Sequence, residues 1–291
     1  MKLLWVQDLD PMAYGGGAQL TDRSHIFEGI RRGHDLELVL PTSRIALGSP
    51  MVISNASAFS LEFFQEAQRQ GIAYVWFLHD YTPVCKWRLF YPLAEPCFTC
   101  YLKPRWLPIL MGAALIVWLS PLHREAWLQL YPELASRPYH LAPSPVDPNM
   151  FRDLGKPRSG VIAVQSLQEF KGRGQVLQWA LEHPSTALTI VGNNPIPEDD
   201  LPPNCTNIPD VPYSEMNALY NRHEVFLHLP ESPQPFERTC AEAYLAGCRV
   251  MGNALVGALS WPFFHEGREA VTTALRDSPK RFWEAVEQAC G

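Results

Sequence analysis

Residues 233–243 read PQPFERTCAEA, and residues 247–250 read GCRV. The apolar run at 225–229 predicts a strand, the prolines predict a loop, and residues 240–246 and 249–251 predict a helix and a second strand. A strand, a loop, a helix and a strand in this order make one unit of a parallel α/β sheet. This stretch therefore predicts an α/β fold.

The same alternation extends outward over the rest of the chain. We predict the other strands at 2–8, 36–40, 51–54, 73–78, 114–119, 161–165 and 187–191. We predict the other helices at 15–33, 61–70, 122–131, 174–181, 214–220 and 279–290. Near-continuous apolar strands separated by helices are typical of parallel sheets that are covered on both faces.

Proline and glycine are dense at 140–160, which predicts a linker between two domains. We expect two Rossmann-like, doubly wound domains that face each other across a cleft. We place them at 1–154, with an irregular cysteine-containing loop at 81–105, and at 155–262, and we expect the helical segment 263–291 to pack back on the first domain. Because ligands of open parallel sheets bind beyond the carboxyl ends of the strands, functional residues are expected in the loops that follow them.

Composition disfavours several classes of protein. Among 291 residues, 24 are Lys or Arg and 30 are Asp or Glu, so the net charge of −6 does not favour a protein that grips nucleic acid over its whole surface. The longest apolar run, 107–119, is shorter than the ~20 residues that span a bilayer. Seven cysteines, with an apolar run at 3–6 too short for a signal peptide, predict reduced thiols in a cytoplasmic protein.

Three loops after predicted strands carry residues suited to an anion or a sugar. Gly15-Gly16-Gly17 opens the first helix, where free N–H groups favour an anion, and a tight turn is the alternative. His79 follows a strand end, either as a hydrogen-bonding group in the cleft or as a structural histidine. Lys171-Gly172-Arg173-Gly174 suits a pyrophosphate, with a solvated basic loop as the alternative.

The helix predicted at 240–246 adds a second anion site. Its N-terminus near Arg238 and Thr239 offers N–H donors to a phosphate. Glu242 lies about one turn further on, where its carboxylate can accept two hydrogen bonds from a ribose diol, and a solvated carboxylate is the alternative. We expect Lys171 and Glu242 on cleft loops rather than in the core.

The loop at 81–105 contains Cys85, Cys97 and Cys100. A Cys-x2-Cys pair with a third thiol supplies three of the four ligands of a structural zinc site. The fourth ligand would be His79, Asp80 or His123. A loop of reduced or partly disulfide-bonded cysteines is the alternative.

Together and in this order, these stretches resemble the retaining, nucleotide-sugar-dependent glycosyltransferases of the GT-B fold, of the family-four (group 1) type, over nearly the whole chain. Lys171-Gly172 resembles the pair that holds the diphosphate in that family, and His79-Asp80 resembles its cleft histidine. Residues 236–242, with Gly247 and Val250, resemble the end of its E-x7-E signature.

Three positions depart from the family pattern. Gln234 replaces the first acid of E-x7-E, Glu237 replaces a usual glycine, and Ser166 replaces an expected arginine. Gln234 keeps the capacity to hydrogen-bond the hydroxyls of a donor sugar but carries no charge, and Arg173 is available to supply the missing cation.

The resemblance implies transfer of a sugar from a nucleoside diphosphate sugar to a hydroxyl of a glycan or small-molecule acceptor, with the anomeric configuration retained. It implies no protein nucleophile and no cofactor, since fixed cations stabilise the leaving diphosphate. The implied catalytic residues are His79, Lys171, Gln234 and Glu242. The implied donor-binding residues are Gly16, Gly17, Ser166, Lys171, Gly172, Arg173, Tyr213, Pro235, Phe236, Arg238, Thr239 and Glu242, and the implied acceptor-binding residues are Gly15 and Asp22.

Two other functions stay open. The first is a glycosyltransferase that acts on a hydroxymethylated base in DNA, with basic segments at 31–32, 103–105 and 156–158 along the nucleic-acid path. The second is a non-catalytic protein of the same fold that binds a nucleotide or a glycan, motivated by Gln234 and Ser166. A nicotinamide-dependent oxidoreductase is disfavoured because the chain lacks GxGxxG.

Overall fold

A computed structural model of the chain describes residues 1–13, 15–43, 46–82, 103–164, 171–192, 196–209 and 211–291. The described chain forms two compact units. One comprises residues 1–145 and 277–291, and the other comprises residues 146–276.

The first unit is built on a six-stranded parallel sheet in the order β2-β1-β3-β4-β5-β6. Its strands are Lys2–Val6 (β1), Asp35–Val39 (β2), Met51–Ser54 (β3), Tyr74–Phe77 (β4), Leu115–Trp118 (β5) and Tyr139–Leu141 (β6). Its helices are Gly17–Arg31 (α1), Leu61–Arg69 (α2), Lys103–Gly112 (α3), Pro121–Leu130 (α4) and, at the end of the chain, Ser278–Cys290 (α9).

The second unit is built on a five-stranded parallel sheet in the order β11-β10-β7-β8-β9. Its strands are Val161–Val164 (β7), Leu188–Val191 (β8), Cys205–Ile208 (β9), Val225–His228 (β10) and Arg249–Gly252 (β11). Its helices are Arg173–Glu182 (α5), Met216–Tyr220 (α6), Arg238–Leu245 (α7) and Arg268–Arg276 (α8). The predicted α/β class with parallel sheets is thereby confirmed.

Two strands and two helices were not predicted from the sequence or were predicted only in part. The strands β6 and β9 are short edge strands, and β6 overlaps the start of the segment that we expected to be a linker. Helix α3 begins inside the loop that was expected to be irregular, and α8 falls in a segment predicted only as generally helical. Two prolines obscure the pattern of α3, yet its Trp106, Ile109 and Leu110 are buried at helical spacing against the core of the first unit.

Helix α9 packs against α1 within the first unit. Trp283 is fully buried, and its indole Nε1 donates a 2.6 Å hydrogen bond to the backbone oxygen of His25. Its ring lies against Gly29 so closely that a Cβ at that position would collide with it. The last helix is therefore part of the core of this unit. No described helix is long and apolar enough to cross a membrane.

We predict that Trp283→Ala lowers the free energy of unfolding by about 3 to 5 kcal/mol, because it removes a buried ring and a hydrogen bond and leaves a cavity. The matched control is Lys280→Ala, one turn earlier on α9, whose side chain is largely exposed. It should change the stability by less than about 0.5 kcal/mol. Urea unfolding measures both, and equal effects of the two substitutions would contradict the packing of α9.

Candidate functional site

The carboxyl edge of the second sheet brings three ionisable side chains together. His228 ends β10, Glu237 precedes the first residue of α7, and Lys171 lies two residues before α5. The turn at Gly172 has φ +86°, and a Cβ there would collide with the carbonyl oxygen of Leu229. Only glycine fits, so this turn seats Lys171 against the loop that follows β10.

Lys171 and Glu237 form an ion pair. Lys171 Nζ lies 2.7 Å from Glu237 Oε2, and Thr239 Oγ1 donates a 2.6 Å hydrogen bond to Glu237 Oε1. Burial by itself raises the pKa of Glu237, but the charge of Lys171 and the hydrogen bonds outweigh it and lower that pKa to about 2. The carboxylate is thus ionised and held by a cation and a hydroxyl.

His228 completes this group. It is fully buried, and neither ring nitrogen has a hydrogen-bond partner among the described residues. Its Nε2 lies 3.5 Å from Glu237 Oε2. Burial, with the nearby charge of Lys171, lowers the pKa of His228 to about 4, so the imidazole is neutral at pH 7. Neither His228 nor Glu237 was predicted as a site residue, although His228 lies at the end of the predicted strand 225–229 and Glu237 lies in the loop that follows it.

Glu242 lies on α7, with 2% of its surface exposed. The expectation that Glu242 lies on a cleft loop outside the core was wrong, because this position falls within the helix, as the predicted bounds 240–246 also place it, and its side chain is buried. Tyr213 Oη donates a 2.8 Å hydrogen bond to Glu242 Oε1, and Arg238 Nε lies 3.4 Å from the same oxygen. Burial raises the pKa of Glu242 against the charge of Arg238. These three predicted residues form one cluster.

The other predicted residues of the second unit are close in sequence to Lys171 and Glu237. Gln234 is buried, and its Nε2 donates a 2.9 Å hydrogen bond to the backbone oxygen of Ser232. Phe236 is buried, Pro235 is partly exposed, and Arg173 is the partly exposed first residue of α5. Ser166 lies outside the described residues.

The first unit brings Asp22 and His79 together. Asp22 is fully buried on α1, and His79 Nε2 lies 3.0 Å from its Oδ1. Ser54, at the end of β3, donates hydrogen bonds of 2.9 and 2.7 Å to the two carboxylate oxygens. His79 also lines a small pocket with Asn55 and Trp76. Ser54 was not predicted, because a serine at the end of a buried strand carries no distinct signal.

The glycines before α1 adopt ordinary conformations. Gly16 caps the helix in an extended conformation with φ −68°, and no side chain caps the N-terminus there. A Cβ on Gly15 would meet nothing within 4 Å. Gly17 is the first residue of α1. The turn into α1 therefore does not require a positive φ at any of these glycines.

The zinc prediction falls on cysteines 85, 97 and 100, which lie outside the described residues. In the part of the chain that is described, no group of three or more His, Cys, Asp or Glu side chains is arranged to hold a metal. His123, one suggested fourth ligand, is buried, and its Nε2 accepts a 3.0 Å hydrogen bond from Trp127 Nε1. Burial lowers the pKa of His123 to about 3, as expected for a core histidine.

Solved structures of glycosyltransferases share this architecture. A sucrose-phosphate synthase from Thermosynechococcus elongatus is 15% identical and superposes with a TM-score of 0.68 over 100% of this chain and 95% of its own. HepE from Anabaena, in complex with UDP, is 17% identical, with a TM-score of 0.61 over 99% of this chain and 94% of its own.

An alpha-glucosyltransferase in complex with UDP and a 13-mer DNA containing an HMU base is 12% identical, with a TM-score of 0.60 over 100% of this chain and 91% of its own. No protein-family model and no curated protein matches the sequence. The chain therefore has the GT-B fold of these glycosyltransferases, as the resemblance implied.

The Lys171–Glu237 pair predicts a pH-dependent stability. Because the pKa of Glu237 is lowered from 4.5 to about 2, its contribution is present above pH 4.5 and is lost as the pH falls towards 2. We predict that Lys171→Ala lowers the free energy of unfolding by about 2 kcal/mol at pH 7, and by progressively less below pH 4.5.

Urea unfolding of both proteins between pH 7 and pH 3 measures this difference. The control is Lys156→Ala, which removes an exposed cation from the same unit and should leave the stability nearly unchanged. A loss for Lys171→Ala that stays constant across this pH range would contradict the ion pair.

Proposed function

We propose that the protein transfers a sugar from a nucleoside diphosphate sugar, with UDP-sugars as the first candidates, to an acceptor hydroxyl, and that the anomeric configuration is retained. The observation that carries the proposal is the position of Lys171 beside the N-terminus of α7, at the carboxyl edge of the second sheet. In open α/β sheets this edge is where ligands bind. The likeness to structures that contain UDP supports the choice of donor.

The leaving diphosphate needs positive charge as the glycosidic bond breaks. Lys171 would supply a point charge and Arg173, at the start of α5, a guanidinium fork. The N–H groups at the start of α7, near Arg238 and Thr239, would add donors. Groups fixed in advance in this way lower the barrier, since they stabilise the charge that develops in the transition state. No metal is required in this account.

The nucleoside would be held by the cluster around Glu242. Tyr213 and Arg238 both approach Oε1 of this carboxylate, which fixes its orientation. We propose that Oε2 accepts hydrogen bonds from the ribose diol. The raised pKa of Glu242 is consistent with a buried acid whose remaining hydrogen-bonding capacity a ligand would satisfy.

We propose that Gln234 of the second unit hydrogen-bonds the transferred sugar, and that His79 is the catalytic hydrogen-bonding group of the first unit. The carboxylate of Asp22, itself held by Ser54, approaches His79 Nε2 and so fixes the imidazole ring. We propose that Asp22 acts through His79, since the carboxylate is fully buried. The acceptor would lie near Gly15 of the same unit. No protein nucleophile takes part, because an oxygen of the donor phosphate can receive the proton of the acceptor hydroxyl.

We predict that Lys171→Ala and Glu242→Gln each reduce sugar transfer or slow donor hydrolysis by at least about a hundredfold, because one removes charge stabilisation and the other a ribose contact. The assay is UDP release from a panel of UDP-sugars. The control, Glu224→Gln, makes the same change as Glu242→Gln at an exposed position of the same unit and should keep full activity.

Undiminished turnover in both variants would refute the site. A wild-type protein that hydrolyses no donor, yet gains thermal stability from UDP, would instead establish the non-catalytic binding function. Nuclear magnetic resonance of the product would show whether the anomeric configuration is retained.

DNA is the second candidate acceptor, favoured by the likeness to the glucosyltransferase solved with DNA. The arginines of the segments 31–32 and 156–158 already have acidic partners. Arg31 donates to Glu28, Arg32 donates to Glu287 with hydrogen bonds of 2.9 and 2.6 Å, and Arg158 donates to Asp153. Acidic partners thus already neutralise these guanidinium groups, in a chain with a net charge of −6.

We therefore predict negligible binding to duplex DNA between about 50 and 200 mM salt, measured by fluorescence anisotropy. Phosphate contacts make an affinity fall steeply with salt. A measurable affinity with a steep salt dependence would contradict the glycan or small-molecule acceptor and support DNA.

A further inference from the structure

Glu237 has an unusual backbone for its residue type. Its φ of +73° lies in the left-handed region, which glycine adopts freely and a residue with a Cβ adopts at a cost. It is one of two described non-glycine residues with positive φ. Strain of this kind persists where other contacts hold the residue in place. Here the contacts are those of the carboxylate with Lys171 and Thr239.

The surroundings of this carboxylate are those of an anion site. They comprise the ammonium of Lys171 at 2.7 Å, the hydroxyl of Thr239 at 2.6 Å and the start of the eight-residue helix α7. The buried imidazole of His228 lies 3.5 Å away, and among the described residues it has no hydrogen-bond partner. A cation, a hydroxyl and a buried imidazole that makes no hydrogen bond in the described part of the chain form a polar cluster that suits a phosphate.

We propose that the carboxylate of Glu237 occupies the place of a donor phosphate and must leave it before a diphosphate can bind. Glu237 is then an internal competitor, which lowers the affinity of the protein for nucleoside diphosphates and sets the fraction of molecules that are ready to bind. The proposal rests on the proposed function for the identity of the ligand. Its core, that this anion site is filled by the protein's own side chain, is tested without a sugar donor.

The Glu237 carboxylate and a bound diphosphate would compete for the same cation, Lys171. A diphosphate that pairs with Lys171 brings negative charge next to Glu237, and two anions cannot share one ammonium without repulsion. Glu237 must turn away, and Thr239 and His228 then become available to the phosphate oxygens. If the carboxylate fills the site in more than about nine molecules in ten, its removal should tighten anion binding at least about tenfold.

Isothermal titration calorimetry with inorganic pyrophosphate, and in parallel with UDP, tests the proposal at one fixed salt concentration. The variants are Glu237→Gln, which removes only the charge, and Glu237→Gly, which also relieves the positive φ and so guards against a folding defect. Glu224→Gln is the control for the change in net charge. The double variant Lys171→Ala/Glu237→Gln locates the site.

We expect both Glu237 variants to bind pyrophosphate at least about tenfold more tightly than the wild type, and the control to bind like the wild type. The double variant Lys171→Ala/Glu237→Gln should bind pyrophosphate no more tightly than the wild type. The proposal would be overturned if both Glu237 variants bound pyrophosphate no more tightly than the wild type. It would also be overturned if the double variant, which lacks Lys171, still bound pyrophosphate more tightly than the wild type. A gain without turnover of any UDP-sugar would uphold the filled anion site and refute the proposed transferase.

Discussion

Parallel pairing of neighbouring strands is the constraint on which the rest of the structure depends. In both sheets the described strand pairs are parallel, so all the strands of one sheet end at the same edge. Residues distant in sequence come close for this reason. Ser54 and His79, near the ends of β3 and β4, both contact Asp22. Glu237 contacts both Lys171, which follows β7, and His228, which ends β10. Strand direction brings these chain segments to one edge, and the turn at Gly172 and the helices α1 and α7 then place the side chains.

The three buried carboxyl groups of the candidate sites each have hydrogen-bonding or charged partners. Asp22 is held by Ser54 and His79, Glu237 by Lys171 and Thr239, and Glu242 by Tyr213 and Arg238. An unpaired buried carboxylate would be costly, and here each acid has donors that offset that cost. The pKa of Glu237 is lowered, because the charge of Lys171 at 2.7 Å and the hydrogen bonds outweigh burial. The pKa of Glu242 is raised, because burial outweighs the charge of Arg238 at 3.4 Å.

The regular elements were predictable because their apolar runs are long and continuous, as in 51–54 and 225–229. The edge strands β6 and β9 were not, since they are short, mix polar with apolar residues and are partly exposed. In the sites, Lys171 and Glu242 stood out through spacing and resemblance. The role of Glu237 could not be read from the sequence, because an acid in a loop is normally solvated, and only the fold shows that Gly172 and the start of α7 bring its carboxylate to Lys171.

A crystal structure of the protein with bound UDP is the most direct test of the central claim, that Lys171 belongs to a diphosphate site. We predict that the diphosphate contacts Lys171 Nζ, with Glu237 turned away from its present 2.7 Å contact, and that Glu242 meets the ribose. UDP bound elsewhere, with the Lys171–Glu237 pair intact, would contradict the account.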